Sequence, residues 1–330
     1  MDIRNIICKI RKTVDTHRLE NEGEYARWLW QDEEKSRKLG LNEYGCADAA
    51  NILYTIGDFI GEPEKRAEWI KVLRGLQDPK TGLYTEETHH FIHTTAHCIA
   101  ALELFDALPE YPLYDLLKYK EKEKLYELLD GLDWDNNPWP QSHQGAGIYA
   151  AMTISETVDE QWKKWYFDWF WENADSETGF WKKGAAYNVP LFNYMAGGFH
   201  YFFNHESARM PVRYPDKIID SCLGMYNNNE MRDDFGKYVG FLEVDWVYCI
   251  NRASRQTTHR FDECKETLRS FAKGYIEYLN DIDEKTHDLF NDLHMLFGAT
   301  CALAELQQAL PGEIISEKPL KLVLDRRPFI

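Results

Sequence analysis

Residues 77–109 read QDPKTGLYTEETHHFIHTTAHCIAALELFDALP, and this stretch decides the fold. It opens with a turn at residues 78–82 (DPKTG), where Pro79 fixes φ and Gly82 is free to take positive φ. A polar loop crowded with histidine follows. From Thr94 to Leu108 the run has no Gly or Pro, is rich in Ala and Leu, and ends at Pro109. That pattern predicts a helix stopped by the proline.

The same unit recurs along the chain. Small-residue helix centres fall at Ala47, Ala96, Ala146, Ala196, Val247 and Gly298, in steps of 49, 50, 50, 51 and 51 residues. Between them lies a second, amphipathic set: Glu24–Leu39, Glu64–Leu76, Lys122–Leu132, Glu160–Glu172, Pro215–Tyr226 and Phe261–Leu279. These carry charge on one face and Trp, Leu, Ile or Phe on the other, as half-exposed helices do. Turn chemistry joins the two sets at residues 78–82, 175–179 (DSETG) and 281–286 (DIDEKT). No alternating run of strand length stands out, so the predicted class is all-α.

Six hairpins of alternating amphipathic and small-residue helices predict a single (α/α)6 toroid over residues 1–316. Residues 317–330 (EKPLKLVLDRRPFI) form a tail packed across it. The glycines of the run Ala196-Gly197-Gly198 each cost roughly 1 kcal/mol of helix propensity, which only tight packing or a neighbouring cavity offsets.

The 330 residues are 44% hydrophobic and 14% aromatic, enough for a large core, and the formal charge is −17. So acidic a chain argues against nucleic acid or an anionic membrane as partner and leaves a small molecule or oligosaccharide. Seven scattered cysteines with no C-x-x-C spacing suggest a reducing compartment. With no apolar leader at the N-terminus and no membrane-length apolar run, the expectation is a soluble, cytoplasmic chain.

The unit QDPKTGLY…TTAHCIAALELF resembles the repeat of the terpenoid cyclase and protein prenyltransferase toroids, where a Q-x-x-x-G-aromatic turn precedes an inner helix. The six-hairpin count is equally similar to the α/α-barrel glycoside hydrolases and polysaccharide lyases. These resemblances imply an architecture; function follows from the site. In such toroids the inner-helix N-termini surround one end of the central cavity. Those positions are Tyr44 and Asp48; His89, His90, His93 and His97; Trp139, Gln141, His143 and Gln144; Tyr187, Asn188, Asn193 and Tyr194; Glu243, Asp245 and Trp246; Asn291, Asp292 and His294. Seven of the eleven histidines fall at or near this rim, His200 being the seventh beside those named. Asp48, Asn193 and Asp292 each have a capping explanation, yet their convergence with His, Trp and Tyr reads as a pocket.

Within that pocket, Glu243 and Asp245 stand two residues apart at a helix start and suit general acid/base work, with Asp48 or Asp292 as the second carboxylate across the cavity. If no carboxylate lies across, His93 or His143 abstracts a proton beside a uronate carboxyl, as in a lyase. Tyr44, His90, Gln144, Asn193 and His294 bind substrate, and Trp139 or Trp246 stacks on the sugar face. His89, His93 and His97 stand four apart, a zinc-capable stripe if one helix carried all three. The loop-to-helix junction breaks it, so no metal or other cofactor is expected. Trp162, Trp165 and Trp169 share an outer-helix face and read as core. The class II cyclase acid motif is incomplete at residues 281–284, and the prenyltransferase Asp-x-Cys spacing at Asp262 and Cys264 falls on an outer helix. The leading expectation is a glycoside hydrolase or polysaccharide lyase. The others are a terpenoid cyclase or prenyltransferase relative, whose cavity would be aromatic and dry, and a non-catalytic glycan-binding toroid.

Overall fold

A computed structural model describes residues 1–31, 37–238 and 240–330. Among them the chain is helical, and β structure is confined to isolated bridges. Fourteen α-helices follow in order: α1 (Arg4–His17), α2 (Glu43–Thr55), α3 (Pro63–Gly75), α4 (Phe91–Leu104), α5 (Lys122–Asp130), α6 (Pro138–Ile154), α7 (Glu160–Asn173), α8 (Leu191–Ala208), α9 (Pro215–Asn227), α10 (Phe241–Ala253), α11 (Phe261–Asp281), α12 (Asp288–Asn291), α13 (Leu293–Ala309) and α14 (Val323–Arg326). A 3-10 helix, Tyr114–Lys120, precedes α5. No described helix is long and apolar enough to cross a membrane.

The helices divide into two kinds. Six are buried nearly all round, five of them rich in Ala, Gly or Cys, and they pack in a cycle: α2 on α4, α4 on α6, α6 on α8, α8 on α10, α10 on α13, and α13 back on α2. The second kind buries one stripe. α3 hides only Trp69 and Leu73, and α5 only Leu125 and Leu129, each pair one turn apart on the inward face. Around the cycle α1 lies against α2 and α13, α3 against α2 and α4, α9 against α8 and α10, and α11 against α10 and α13.

Small residues permit this close packing. A Cβ on Gly197 would lie 2.8 Å from the Pro138 carbonyl oxygen at the start of α6. Backbone cannot yield as a flexible side chain does, so Gly197→Ala is expected to destabilise the chain by about 1–3 kcal/mol. Urea unfolding measures it, and an unchanged midpoint would contradict this account of the α6–α8 contact.

The first two turns match residue for residue. Asp78 Oδ1 accepts from the amides of Lys80 and Thr81, and Gly82 N–H donates to the Asp78 carbonyl. Asp175 Oδ1 accepts from Glu177 and Thr178, and Gly179 N–H donates to the Asp175 carbonyl. Gly82 takes φ +75° and would place a Cβ 1.9 Å from the Pro112 oxygen, so no other residue fits there. The third turn lies two residues later than expected and has no glycine: Asp283 Oδ1 accepts from Lys285 N–H.

One expectation is corrected. The outer helix expected at Glu24–Leu39 is not helical over 24–31 or 37–39, its remaining positions lying outside the described residues; the first outer helix is α1. Residues 25–30 instead run as an irregular segment bridged to His17 and to the start of α13 through Ala26 N–H to His17 O and Leu293 N–H to Arg27 O. In α7, as expected, Trp162 and Trp169 are core, and Trp165, half-buried, packs against it.

The C-terminal tail crosses the face where the inner helices end. Lys321 N–H donates to Thr55 O, Arg326 reaches Glu103 and Asp106, and the buried Arg252 pairs with Glu305 and Asp325. Phe329 then packs 4.8 Å from the His93 ring and 5.5 Å from Phe203, inside the cycle of helices. The seven cysteines are unpaired, six of them buried.

Candidate functional site

At the centre of the cycle, near the helix N-termini, lies a cavity of about 120 Å³. His89 and His93 (α4 and the loop before it), Trp139 and His143 (α6), His200 (α8), Phe241 (α10), His294 (α13) and Ile330 of the tail line it. His89, Trp139, His143 and Phe241 are partly exposed and form the mouth, whereas Ile330 is buried at the floor.

On one wall, Asp48 of α2 is fully buried and engages two histidines. Its Oδ1 lies 2.7 Å from His97 Nε2 and its Oδ2 3.1 Å from His294 Nδ1. Burial raises the Asp48 pKa, but His294 and His97 outweigh it and hold the carboxyl well below the usual carboxylate range. An ionised carboxylate only accepts, so both ring nitrogens facing it carry protons. Burial pushes the His294 pKa down to about 4 despite Asp48, so near neutral pH the ring is uncharged and its Nε2 bears a free lone pair. Tyr44, also fully buried, stacks between His89 at 4.5 Å and His97 at 4.9 Å, and its hydroxyl lies 2.5 Å from His93 Nδ1.

The other wall is three imidazoles from three helices. The His93 and His143 rings are 4.4 Å apart and those of His143 and His200 5.2 Å. His200 Nδ1–H donates to the Ala196 carbonyl at 3.1 Å and lies 3.0 Å from Ser142 Oγ, which leaves Nε2 bare. Burial lowers His200 to about 3, and burial with neighbouring histidines takes His93 and His143 well below the ordinary value. One ligand nitrogen from each of these three lies within 4.8 Å of the others; Asp48, His97 and His294 form a second such set. Both sets have a geometry able to hold a metal ion.

Of the residues read from the sequence, the cavity brings His89, His93, Trp139, His143 and His294 into its lining, with Tyr44 and Asp48 directly behind. The others lie elsewhere. Asp292 caps α13 and takes a two-pronged pair from Arg27 at 2.9 and 3.2 Å; Arg27 in turn lies over the Trp28 and Tyr44 rings. His90 caps α4 through Ile92 N–H, Asn193 bonds the Pro190 carbonyl, and Gln144 bonds Gln141. Trp246, expected at the rim, is fully buried and faces outward, its indole N–H donating to Cys222 O of α9 at 3.0 Å.

Glu243 and Asp245 are buried in α10 and absent from the lining. Glu243 accepts from Gly236 N–H, and burial pushes its pKa up to about 7. Asp245 has no hydrogen-bond partner at either oxygen, and burial followed by Glu243 drives its pKa well above the usual range. The expected carboxylate across the cavity is Asp48, already engaged by two histidines.

His200, Phe241 and Ile330 belong to the lining without having been assigned a role from the sequence. His200 lies four residues after Ala196, whereas His93 and His143 lie three before their helix centres. The cause is an axial offset: Gly197 of α8 sits against Pro138 of α6, which sets His200 level with Ser142. Compared with protein-family models, curated proteins and solved structures, the chain finds no match.

Proposed function

We propose that the chain is an enzyme built on an (α/α)6 toroid that removes a proton next to a carboxyl group in a sugar-like substrate, the lyase form of a carbohydrate-active enzyme. The observation that carries the reading is Asp48 Oδ2 at 3.1 Å from His294 Nδ1, with His294 lining the cavity. A buried carboxylate that fixes the tautomer and orientation of an imidazole makes its other nitrogen a directed general base. The cyclic packing of six buried helices supports the toroid, and the absence of Glu243 and Asp245 from the lining favours a histidine base over a two-carboxylate hydrolysis.

In the proposed step, His294 Nε2 takes the proton from the carbon bearing the carboxyl group. The C–H electrons form a double bond to the neighbouring carbon, and the C–O bond on that neighbour breaks, its electrons leaving with oxygen. The leaving oxygen takes a proton from water at the mouth, beside His89, and the hydroxide left behind takes the proton from His294, which restores the base. No further cofactor enters this proton balance. A cavity of about 120 Å³ is below the roughly 300–1,000 Å³ of pockets that enclose a whole ligand, so it admits the reacting group while the rest of the substrate rests on Trp139 and Phe241. Five of the eight lining side chains are histidines, which disfavours an isoprenoid cavity.

A panel of uronate-containing glycans, single uronates and other 2-substituted carboxylates tests the reading, followed by absorbance of the new conjugated double bond and by NMR exchange of the α-proton in D2O. Glu243→Gln and Asp245→Asn are expected to keep turnover within about threefold, since neither group reaches the cavity. Loss of turnover in both would return the role to α10. Neither elimination nor exchange on any carboxylate would favour the binding or isoprenoid readings.

A further inference from the structure

We propose that His93, His143 and His200 bind one divalent first-row metal ion, of the zinc class, with an open coordination position facing the cavity. The three ligand nitrogens lie within 4.8 Å of one another and come from three different helices, so the helix packing rather than a local loop sets their convergence. Tetrahedral zinc with nitrogen ligands at about 2.0–2.1 Å places those nitrogens about 3.4 Å apart, a closure that side-chain rotation supplies.

The outer atoms of two ligands are already committed. His200 Nδ1–H is held by the Ala196 carbonyl and Ser142, and Ser142 Oγ is itself fixed by donating to the Trp139 carbonyl at 2.5 Å. His93 Nδ1 meets the Tyr44 hydroxyl at 2.5 Å, which accepts from it when Nε2 is a ligand. Such outer contacts orient metal-binding imidazoles and select which nitrogen faces the ion. Without a cation, the His200 contacts leave its Nε2 bare beside the His93 and His143 rings. Three neutral nitrogens, no thiolate and no carboxylate suit zinc, cobalt, nickel, copper or iron(II), and not magnesium or calcium.

The second His/Asp set differs, because its atoms satisfy one another: Asp48 takes hydrogen bonds at 2.7 and 3.1 Å from His97 and His294. It needs no ion, and the predicted stoichiometry is one per chain. The ion's role, though not its binding, rests on the elimination reading. It would take a carboxylate oxygen of the substrate and stabilise the charge that develops there once the neighbouring proton leaves toward His294.

The test uses the metal alone on the full chain. Chelator-treated protein is titrated with Zn²⁺ by calorimetry and with Co²⁺ by visible absorption, and bound metal is counted after dialysis. The expected result is one ion per chain and a tetrahedral-type cobalt spectrum. His143→Ala and His200→Ala should each weaken binding at least 100-fold, and Asp48→Asn should leave the stoichiometry at one. His143 is partly exposed at the mouth, so its replacement spares the packed core; circular dichroism checks both variants. No ion retained, or binding unchanged in both histidine variants, overturns the site. Undiminished elimination by metal-free protein removes the ion's role and leaves His294 standing. One bound ion without elimination on any carboxylate keeps the site and removes the reaction.

Discussion

Replacing His294 by glutamine is expected to lower kcat for proton removal by about 10²–10⁴-fold with a smaller change in KM, the range for loss of a positioned general base. Glutamine keeps a donor for Asp48 and much of the side-chain volume, so the fold is spared while basicity goes. Asp48→Asn should cost a comparable factor by a different route. An amide NH₂ facing His294 Nδ1 takes that nitrogen as acceptor, which moves the ring proton to Nε2 and points it at the substrate. The pH profile carries a second signature. Burial sets His294 at about 4, below the ordinary 6.5, so the base stays unprotonated as pH falls through 6 and is lost only towards 4. Activity should therefore persist below pH 6 wherever the chain remains folded. Unchanged kcat in both variants, or an acid limb at 6.5 in the wild type, would remove His294 from the base role.

The architecture was legible where packing demands a residue type. Helices flanked on both sides need small residues at their contacts, and Gly197 against Pro138 shows why those positions recur at a near-constant spacing. The aspartate turns were legible for a similar reason, since one hydrogen-bond scheme selects Asp at the start and, twice, Gly at the end. Residues 24–31 and 37–39 were misread because Trp28, Leu29 and Trp30 among charged neighbours imitate an amphipathic helix. Their backbone instead spans the rim between α1 and α13, with Trp28 bridged to Asp292.

The site was legible in residue type and less so in direction. A helix buried on all sides carries no hydrophobic stripe, so its sequence does not tell an inward residue from an outward one. Trp246 and His294 looked alike as polar-aromatic residues near helix starts; one turns toward α9, the other into the cavity. Glu243 and Asp245 drew attention by charge, yet burial holds their pKa values up and places them off the lining. His200 sits deeper in its own helix than His143 in its, an offset that only the α6–α8 contact reveals. Ile330 reaches the floor through the path of the tail, which no periodicity records.

The histidines that build the cavity also make the native state acid-sensitive, and metal-free protein is expected to lose on the order of 5 kcal/mol of stability between pH 7 and pH 5. Burial lowers His200 to about 3 and His205 and His294 to about 4, and takes His93 and His143 well below 6.5. As pH falls from 7 to 5 the unfolded chain protonates these groups near 6.5 while the native chain does not. His200, His205 and His294 therefore each favour unfolding by about 2 kcal/mol at pH 5, and His93 and His143 act in the same sense. Glu243, at about 7, and Asp245, raised well above its ordinary value, act in the opposite sense. They take up protons in the native chain before the unfolded one, which returns roughly 2 kcal/mol for Glu243, acts in the same sense for Asp245, and leaves the histidines ahead. Urea unfolding in chelator at the two pH values measures the difference. His205, away from the cavity and hydrogen-bonded through Nδ1 to the Tyr201 carbonyl, supplies the control. His205→Leu should reduce the pH dependence by about 2 kcal/mol without touching the site. Equal or greater stability at pH 5 would show that the buried carboxyl pair on α10, and not the histidine cluster, governs the acid response.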